Sequence, residues 1–517
     1  MQSKKTFFKS PLFILVILIL FHGVNNYIWL KLNQRPPVDD EGAHLMVSLN
    51  YLDMISKPSL NIFSKLIKMD TFYPPLFPFV AAFFGLIFGK SAIILIMTNV
   101  VFLFGIFICL YFIGLKMGDR RLGILASFLL SLYPMFFHLS RMFMLETALC
   151  FMVVASITAL IYTEGFKKIS TSILFGVFLG LGLLTKQYYI VFIIGPLLFL
   201  ILLSFFSSDI PMRKKIIMNL SLSSLMGVSI ASWWYIPNLS KILHGLIFSA
   251  FNPNAIPPHS PHSVYSTQSP LFYFFVLVNQ QILLFFFLVF ISALIITFWK
   301  RKNRFFFLFL IWIIYPYFIF SLFNNKFWYY TIAYLPAVAY ISAYGIMNIQ
   351  KEFLRRTVIL LISVISLFQF FLVSYVHYRG IKIRVMHIKV LPWPMADILA
   401  GVKYYPERGN WKVNAMIARI LKESHGEVPV IGAYEINPNV EQRVNSDQAV
   451  FICRLNSYAG AHFDSLNYHL RLKNIRYKLI VLNKLWNKKI VDRINFIVTP
   501  LVLKNISDFG IIIAPVQ

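Results

Sequence analysis

The chain has 517 residues, of which 58% are hydrophobic and 17% aromatic, and its mean hydropathy is +0.70. Apolar runs of 18 or more residues recur through the first 377 positions, which excludes a soluble globular protein and predicts a multi-pass membrane protein. The formal net charge of +28 does not indicate nucleic-acid binding, because most cations lie in short clusters between apolar runs, where the positive-inside rule accounts for them.

The first predicted element is a retained membrane span at 11–32. Its apolar run is longer than that of a signal peptide, and no small-residue cleavage site follows it. The basic start before it, with Lys4, Lys5 and Lys9, predicts a cytoplasmic N-terminus. With the other basic clusters also placed inside, about eleven transmembrane helices are predicted, near 11–32, 92–116, 122–139, 144–163, 171–185, 187–206, 216–235, 271–299, 305–323, 330–349 and 357–377.

The first outer loop, 33–91, contains three adjacent acids, Asp39, Asp40 and Glu41, in a chain with only 20 acidic residues. Two interpretations remain open. Carboxylates cap helix N-termini, and Asp39 suits that role best. A carboxylate at the outer membrane face can also serve as a general base. On the predicted helix Asp40 and His44 share a face, whereas Glu41 points about 100° away.

Two further parts of this loop are predicted to contact the membrane. The residues after Asp40 keep one apolar stripe, which predicts an amphipathic helix lying on the membrane and contains Leu45, Leu49, Leu52 and Ile55. The apolar stretch at 73–89, YPPLFPFVAAFFGLIFG, is predicted to be a re-entrant or interfacial element, because counting it as a span would turn the basic cluster at 116–121 outward.

Ionisable residues interrupt apolar sequence at Arg141, Glu146 and Lys186, all predicted to lie toward the outer side. Such residues are costly at membrane depth, so they are usually paired or functional. Arg141 and Glu146 either form a structural ion pair or belong to a site. Because they are five residues apart, they would not share a helix face, so a turn near Arg141 or a partner elsewhere is required.

The remaining outer parts are a second long loop and the C-terminal region. The loop 236–270 is rich in proline, serine and histidine. Residues 378–517 are predicted to be a juxtamembrane segment and a small extracytoplasmic α/β domain, because a helical pattern (WKVNAMIARILKES) alternates with short apolar runs (VPVIGAYEI, YKLIVLN, GIIIAPVQ). Outer cations such as Arg379 and Lys186 suit either a phosphate or, for the cluster at 379–389, anionic lipid head groups.

No cofactor is required by any motif. A divalent metal at Asp40, His44 and Glu146 is conceivable, although no ligand spacing is diagnostic. The cysteines Cys109, Cys150 and Cys453 are too scattered to indicate a disulfide framework. The loops predicted to be cytoplasmic are short and contain no G-x-x-x-x-G-K-[ST] motif, which argues against a soluble nucleotide donor.

A series of motifs follows in order across residues 10–350: DDE with His44 close behind, YPPLFPFVAAFFGLIFGKS, DRRLGILASFLLSLYP, SRMFMLE, GLGLLTK and SWWYIPN. In this order they resemble the GT-C glycosyltransferases, in the branch that joins protein O-mannosyltransferases with lipid A aminoarabinose transferases. The resemblance implies a membrane enzyme that takes a sugar from a polyprenyl-phosphate carrier. It also implies Asp40 or Glu41 as the base, with Arg141 and Glu146 in the active site. Many relatives have aspartate where this chain has Glu146, so the side chain here is longer by one methylene group.

The resemblance predicts a GT-C transmembrane catalytic domain at 1–377, with the loop 236–270 covering the donor. The implied reaction is a single inverting displacement, in which one base acts on an acceptor hydroxyl and cations stabilise the leaving phosphate. The acceptor can be a glycan, a lipid or a protein, and the enzyme would lie in the inner (plasma) membrane. The alternatives are a transporter or flippase for a lipid-linked sugar, or a non-catalytic protein with the same fold.

Overall fold

The computed structural model of the chain describes residues 11–35, 37, 40–57, 61–69, 73–251, 270–299, 304–324, 326–376 and 404–408, and short strands between 382 and 514. The α-helices in these residues, numbered in chain order, are α1 (Pro11–Leu32), α2 (Asp40–Ser56), α3 (Ile62–Met69), α4 (Leu76–Phe88), α5 (Ala92–Met97), α6 (Asn99–Lys116), α7 (Arg120–Ser131), α8 (Pro134–Leu139), α9 (Glu146–Tyr162), α10 (Ile169–Leu183), α11 (Tyr189–Phe206), α12 (Ile210–Phe251), α13 (Phe272–Val276), α14 (Leu283–Trp299), α15 (Arg304–Ser321), α16 (Leu335–Met347) and α17 (Glu352–Tyr375).

The described helices are those of a multi-pass membrane protein. Five helical stretches, one of them formed by α5 and α6 together, are long and apolar enough to cross a membrane, and a bent pair, Phe272–Gln281 with Leu283–Trp299, adds a sixth if it is one span. Further apolar helices of 10–17 residues are shorter: Leu76–Phe88, Glu146–Tyr162, Ile169–Leu183, Phe305–Ser321 and Ile332–Met347. The count of about eleven crossings, and the placement of 73–89, therefore stay predictions.

Two predicted crossings differ in shape from the observed helices. The stretch 122–139 is not one helix, because α7 ends at Ser131 and Pro134 opens α8 in the first turn, where its missing amide costs nothing. The helix predicted at 216–235 runs much further, to Phe251, with Pro237 inside it. The outer loop predicted to begin at 236 therefore starts as helix, since membrane helices tolerate an internal proline.

The predicted crossing at 271–299 is broken. A π-helical turn, Leu277–Gln281, continues α13, and the segment Phe272–Gln281 makes a bend of 113° with α14. Leu283, at the break, has a positive φ of 62°. The Gln281 side chain holds this turn in place, because it donates to the Trp328 carbonyl at 3.1 Å and to the Thr331 hydroxyl at 2.8 Å.

Small residues allow close helix packing between α10 and α12. A Cβ atom on Gly176 would lie 2.4 Å from the Ser223 carbonyl oxygen, and one on Gly180 would lie 2.8 Å from the Gly227 carbonyl oxygen. Gly176 and Gly180 are one helical turn apart, so they form a small-residue face of the kind that brings membrane helices together.

Contacts divide the chain into two compact units. The first contains Met1–Trp29, Lys57–Ala81 and Ile96–Tyr405, and the second contains Leu30–Ser56, Ala82–Leu95 and Pro406–Gln517. In the first unit lie two short antiparallel pairs, β1 (Lys382–Ile383) with β4 (Ala396–Asp397) and β2 (His387–Ile388) with β3 (Leu391–Pro392).

The second unit contains a five-stranded sheet. Its strands are β5 (Val430–Tyr434), β6 (Val450–Arg454), β7 (Lys478–Leu482), β8 (Phe496–Pro500) and β9 (Ile511–Ala514), in the order β7-β5-β6-β8-β9. All neighbours are parallel except β9, which pairs antiparallel with β8. The three predicted strands coincide with β5, β7 and β9, whereas the predicted helix WKVNAMIARILKES lies outside the described residues. The domain boundary at 377 stays a prediction.

Candidate active site

A buried ion pair lies at the start of α9. Glu146 is the first residue of that helix and is fully buried, and Lys186 in the turn after α10 is 5% exposed. The Lys186 Nζ donates directly to Oε1 of Glu146, and the Tyr188 hydroxyl donates to the same oxygen at 3.3 Å. The second carboxylate oxygen, Oε2, has no hydrogen-bond partner among the described residues. The pair thus leaves one buried acceptor unused.

Aromatic rings surround this pair. The Lys186 Nζ lies 4.8 Å from the centroid of the Tyr188 ring and 5.4 Å from that of Tyr329. The Tyr188 ring lies 5.1 Å from Tyr330 and 5.4 Å from Phe320. Tyr188 and Tyr330 are only half-buried. These two rings therefore keep part of their surface exposed beside the buried ion pair.

Arg141 occupies the non-helical break between α8 and α9. Its Nε donates to Asn26 Oδ1 and its Nη1 to the Ser374 hydroxyl, both at 3.0 Å. The guanidinium carbon lies 4.9 Å from the Phe137 ring centroid and 5.2 Å from that of Phe370. Its Nη2 has no hydrogen-bond partner, and no carboxylate lies within ion-pair distance, in the part of the chain that the structure describes. Arg141 is therefore a buried cation held only by neutral groups.

The expectation of a turn near Arg141 is confirmed, and the alternative of an Arg141–Glu146 ion pair is wrong. Each residue has its partners on other elements, Asn26 and Ser374 for Arg141 and Lys186 for Glu146. Lys186, which stands alone in the sequence, is the carboxylate's partner.

The first-loop acids lie in the second compact unit, on α2. The helix begins at Asp40, as the sequence predicts, and Asp39 lies outside the described residues. Asp40 is half-buried, Glu41 is 9% exposed and His44 is 2% exposed. The buried residues of the helix extend beyond the predicted leucine stripe: Glu41, Gly42, His44, Leu45, Met46, Ser48, Leu49, Tyr51, Leu52 and Met54. The placement of this helix on the membrane surface stays a prediction.

The remaining predicted site residues gain no geometric support. Arg379 and most of the loop 236–270 lie outside the described residues. Within the described residues, no three His, Cys, Asp or Glu side chains come close enough to hold a metal ion, so Asp40, His44 and Glu146 do not form a metal cluster.

Sequence reasoning missed Lys326, a second buried lysine. It lies in the loop after α15 and is 2% exposed, and this burial lowers its pKa. Phe327, Tyr329 and Tyr330 follow it directly and belong to the aromatic group around Lys186. The available signal was a single cation among aromatic residues, in NNKFWYY, whereas Lys186 was singled out because it stands alone between apolar runs.

Comparisons with known proteins find a family match for part of the chain. Residues 73–234 match a family model described as dolichyl-phosphate-mannose-protein mannosyltransferase. The family model thus covers 162 of the 517 residues. The match confirms the resemblance drawn from the motifs, because the family consists of glycosyltransferases that take a sugar from a lipid phosphate. It covers Arg141, Glu146 and Lys186, whereas Asp40 and Lys326 lie outside it.

Solved structures show the GT-C fold. The chain is similar to ArnT from Cupriavidus metallidurans bound to undecaprenyl phosphate, with a TM-score of 0.52 and 14% identity over 70% of this chain and 66% of that one. The Archaeoglobus fulgidus oligosaccharyltransferase in the apo form gives a TM-score of 0.52 and 14% identity over 82% of this chain and 62% of that one.

The same archaeal enzyme, AglB, in complex with an inhibitory peptide and a dolichol-phosphate, gives a TM-score of 0.50 with the same identity and coverage. The chain thus spans slightly less than two thirds of the length of these GT-C proteins. No curated protein sequence matches the chain.

Proposed function

We propose that the protein is a membrane glycosyltransferase that moves a sugar from a polyprenyl-phosphate carrier to an acceptor hydroxyl on the extracytoplasmic side. The match of residues 73–234 to a mannosyltransferase family carries this proposal. The carrier class is supported by the fold likeness to one protein bound to undecaprenyl phosphate and to another in complex with a dolichol-phosphate. The catalytic part is residues 1–377, with about eleven crossings, and residues 378–517 are an extracytoplasmic domain that orients the acceptor.

The reaction needs one base and one cationic site. A carboxylate of α2, Asp40 or Glu41, takes the proton of the acceptor hydroxyl as its oxygen attacks the anomeric carbon. The bond from that carbon to the phosphate oxygen breaks, the phosphate leaves as an anion, and the sugar inverts. Asp40 is the better base of the two, because it is half-buried whereas Glu41 is 9% exposed.

Substitution of the first-loop acids tests the catalytic assignment. In lipid nanodiscs supplied with undecaprenyl-phosphate-linked sugars and envelope acceptors, Asp40→Asn is expected to lower transfer by roughly 10²-fold or more, because the proton has no acceptor. Glu41→Gln shows whether the neighbouring acid shares the role. Asp53→Asn is the matched control, since Asp53 is exposed on the same helix. Unchanged sugar transfer in both Asp40→Asn and Glu41→Gln would show that the catalytic base does not lie on α2.

Mass spectrometry of a strain that lacks the gene tests the reaction itself. We expect a polyprenyl-phosphate-linked sugar to accumulate and one sugar to disappear from an envelope glycan, lipid or protein. Complementation with the Asp40→Asn variant should leave both changes in place. A transporter would instead be complemented by that variant, because moving a lipid-linked sugar across the membrane needs no base.

A further inference from the structure

The two buried basic groups near the candidate site differ in their charge balance. Lys186 is paired directly with Glu146, so its positive charge is neutralised where it stands. Arg141 has only the neutral partners Asn26 and Ser374 and the aromatic rings, and its Nη2 remains unused within the described residues. A phosphate is attracted by uncompensated positive charge, which Arg141 provides and Lys186 does not.

From this difference we propose that the Glu146–Lys186 pair recognises the transferred sugar and not the carrier phosphate, with the free Glu146 oxygen accepting a hydrogen bond from a sugar hydroxyl. The inference rests on the proposed function and deepens it, because it assigns the sugar subsite and the class of sugar.

The free oxygen determines what kind of group can bind there. Oε2 of Glu146 is buried and has no hydrogen-bond partner in the described part of the chain. A buried acceptor without a partner is unfavourable unless a ligand or a water molecule donates a hydrogen bond to it. A carboxylate only accepts hydrogen bonds. A phosphate anion presents only acceptors, so it would be repelled by this oxygen, whereas a sugar hydroxyl or amino group donates to it. The same repulsion disfavours a sugar that presents its own carboxylate to this oxygen.

The surroundings of the pair suit a sugar ring. Tyr188 and Tyr330, whose ring centroids are 5.1 Å apart, are half-buried beside it. Aromatic rings pack against the apolar C–H faces of a ligand, while a few convergent polar groups fix its orientation. The Tyr188 hydroxyl also donates to Oε1 of Glu146 at 3.3 Å, which holds the carboxylate with Oε2 left for the ligand. Tyr188 is thereby a positioning residue.

Binding measurements without turnover separate the sugar from the phosphate. Native mass spectrometry of the purified full-length protein would compare undecaprenyl phosphate with undecaprenyl phosphate bearing mannose, glucose, 4-amino-4-deoxyarabinose or glucuronate. The wild type is expected to bind at least one neutral or amino sugar form more tightly than the bare carrier, and not the glucuronate form. In Glu146→Gln this preference should fall by roughly tenfold or more, with the affinity for the bare carrier within about twofold of the wild type.

Three comparison variants complete the experiment. Glu164→Gln breaks another glutamate–lysine contact, with Lys116 and Lys168, and should change neither affinity. Arg141→Gln should weaken the binding of the bare carrier and of the glycosylated carriers to the same extent. Tyr188→Phe keeps the ring but loses the hydroxyl, so it should reduce the sugar preference partly. If Glu146→Gln itself is unstable, Glu146→Gln with Lys186→Met removes both charges and should show the same loss of preference.

The inference is overturned if the wild type binds no glycosylated carrier more tightly than undecaprenyl phosphate, or if the glucuronate form binds best. It is also overturned if Glu146→Gln weakens the binding of the bare carrier as much as the binding of the glycosylated carriers. A protein that shows the sugar preference but transfers nothing would instead contradict the proposed function. The two failures are therefore distinguishable.

Discussion

Glu146 and Lys186 show how the bundle accommodates charges at depth. Removing two charges from water costs several kcal/mol per ion, and the contact between them offsets this only while both are present. Neither side chain is more than 6% exposed. The stability of α9 and of the turn after α10 therefore depends on the pair as a unit.

A double-mutant cycle measures that dependence. Lys186→Met is expected to destabilise the protein by about 3 kcal/mol or more, because it leaves the Glu146 carboxylate buried without its cation. The double variant Glu146→Gln with Lys186→Met should recover most of that loss, since no charge then remains buried. Thermal unfolding of the purified protein in detergent gives the comparison. If the destabilisation of the double variant equals the sum of the destabilisations of the two single variants, the two residues are not coupled.

Glu164 provides a pH-dependent test outside the membrane spans. Its Oε1 accepts from Lys116 at 2.5 Å and from Lys168 at 2.9 Å, and these contacts lower its pKa from 4.5 to about 2. Because the folded-state pKa is depressed, the stabilisation is fully present above the unfolded-state pKa and is lost as the pH falls from about 4.5 toward about 2.

The Tm difference between the wild type and Glu164→Gln is thus expected to be constant near neutral pH and to shrink in acid, measured by thermal unfolding in buffers from about pH 7 to about pH 3. A difference that grew as the pH fell would show that Glu164 is not stabilised in its charged form.

At the scale of elements, the close approach of α10 and α12 determines how the long helix α12 packs. Gly176 and Gly180 leave room for the backbone at Ser223 and Gly227. The Ser223 hydroxyl also donates to the Ser172 carbonyl across the same interface. Membrane helices associate through packing and hydrogen bonds of this kind, because lipid chains provide no hydrophobic force between them.

Gly176→Ala is therefore expected to destabilise the protein by about 1–3 kcal/mol, because its Cβ would lie 2.4 Å from the Ser223 carbonyl oxygen and the helices would have to separate. The matched control is Gly23→Ala in α1, where the nearest atom to the added Cβ is Val100 Cγ1 at 3.7 Å. Thermal unfolding compares the two. Equal Tm values for both variants would mean that the α10–α12 contact is not tight.

At the scale of the whole molecule, the charge distribution predicts the orientation in the membrane. The clusters between spans should face the cytoplasm, and the first loop, with α2, should face outward. In a variant without its native cysteines, a membrane-impermeant maleimide should label Ser56→Cys in intact cells. It should label Lys351→Cys only after the cells are permeabilised. Both positions are exposed, so access to the reagent is matched. Labelling of Lys351→Cys in intact cells would invert the proposed topology.

Much of the fold could be predicted from the sequence, because apolar runs and basic clusters are local properties. The helix that begins at Asp40 and the break near Arg141 were also predictable, from capping residues and from helix periodicity. The length of α12 was not, since proline at 237 normally suggests a loop and only packing inside the membrane domain lets the helix continue.

The sequence by itself determined that this is a multi-pass membrane protein with a few costly charges, because hydropathy and charge spacing are read along the chain. Only the tertiary structure decided the partners of those charges. Glu146 meets a lysine 40 residues away and Arg141 meets a serine 233 residues away, which no local pattern encodes. The reason is physical: a buried charge must be compensated by whichever polar group the helix packing brings to it, and that packing depends on contacts distributed over the whole bundle.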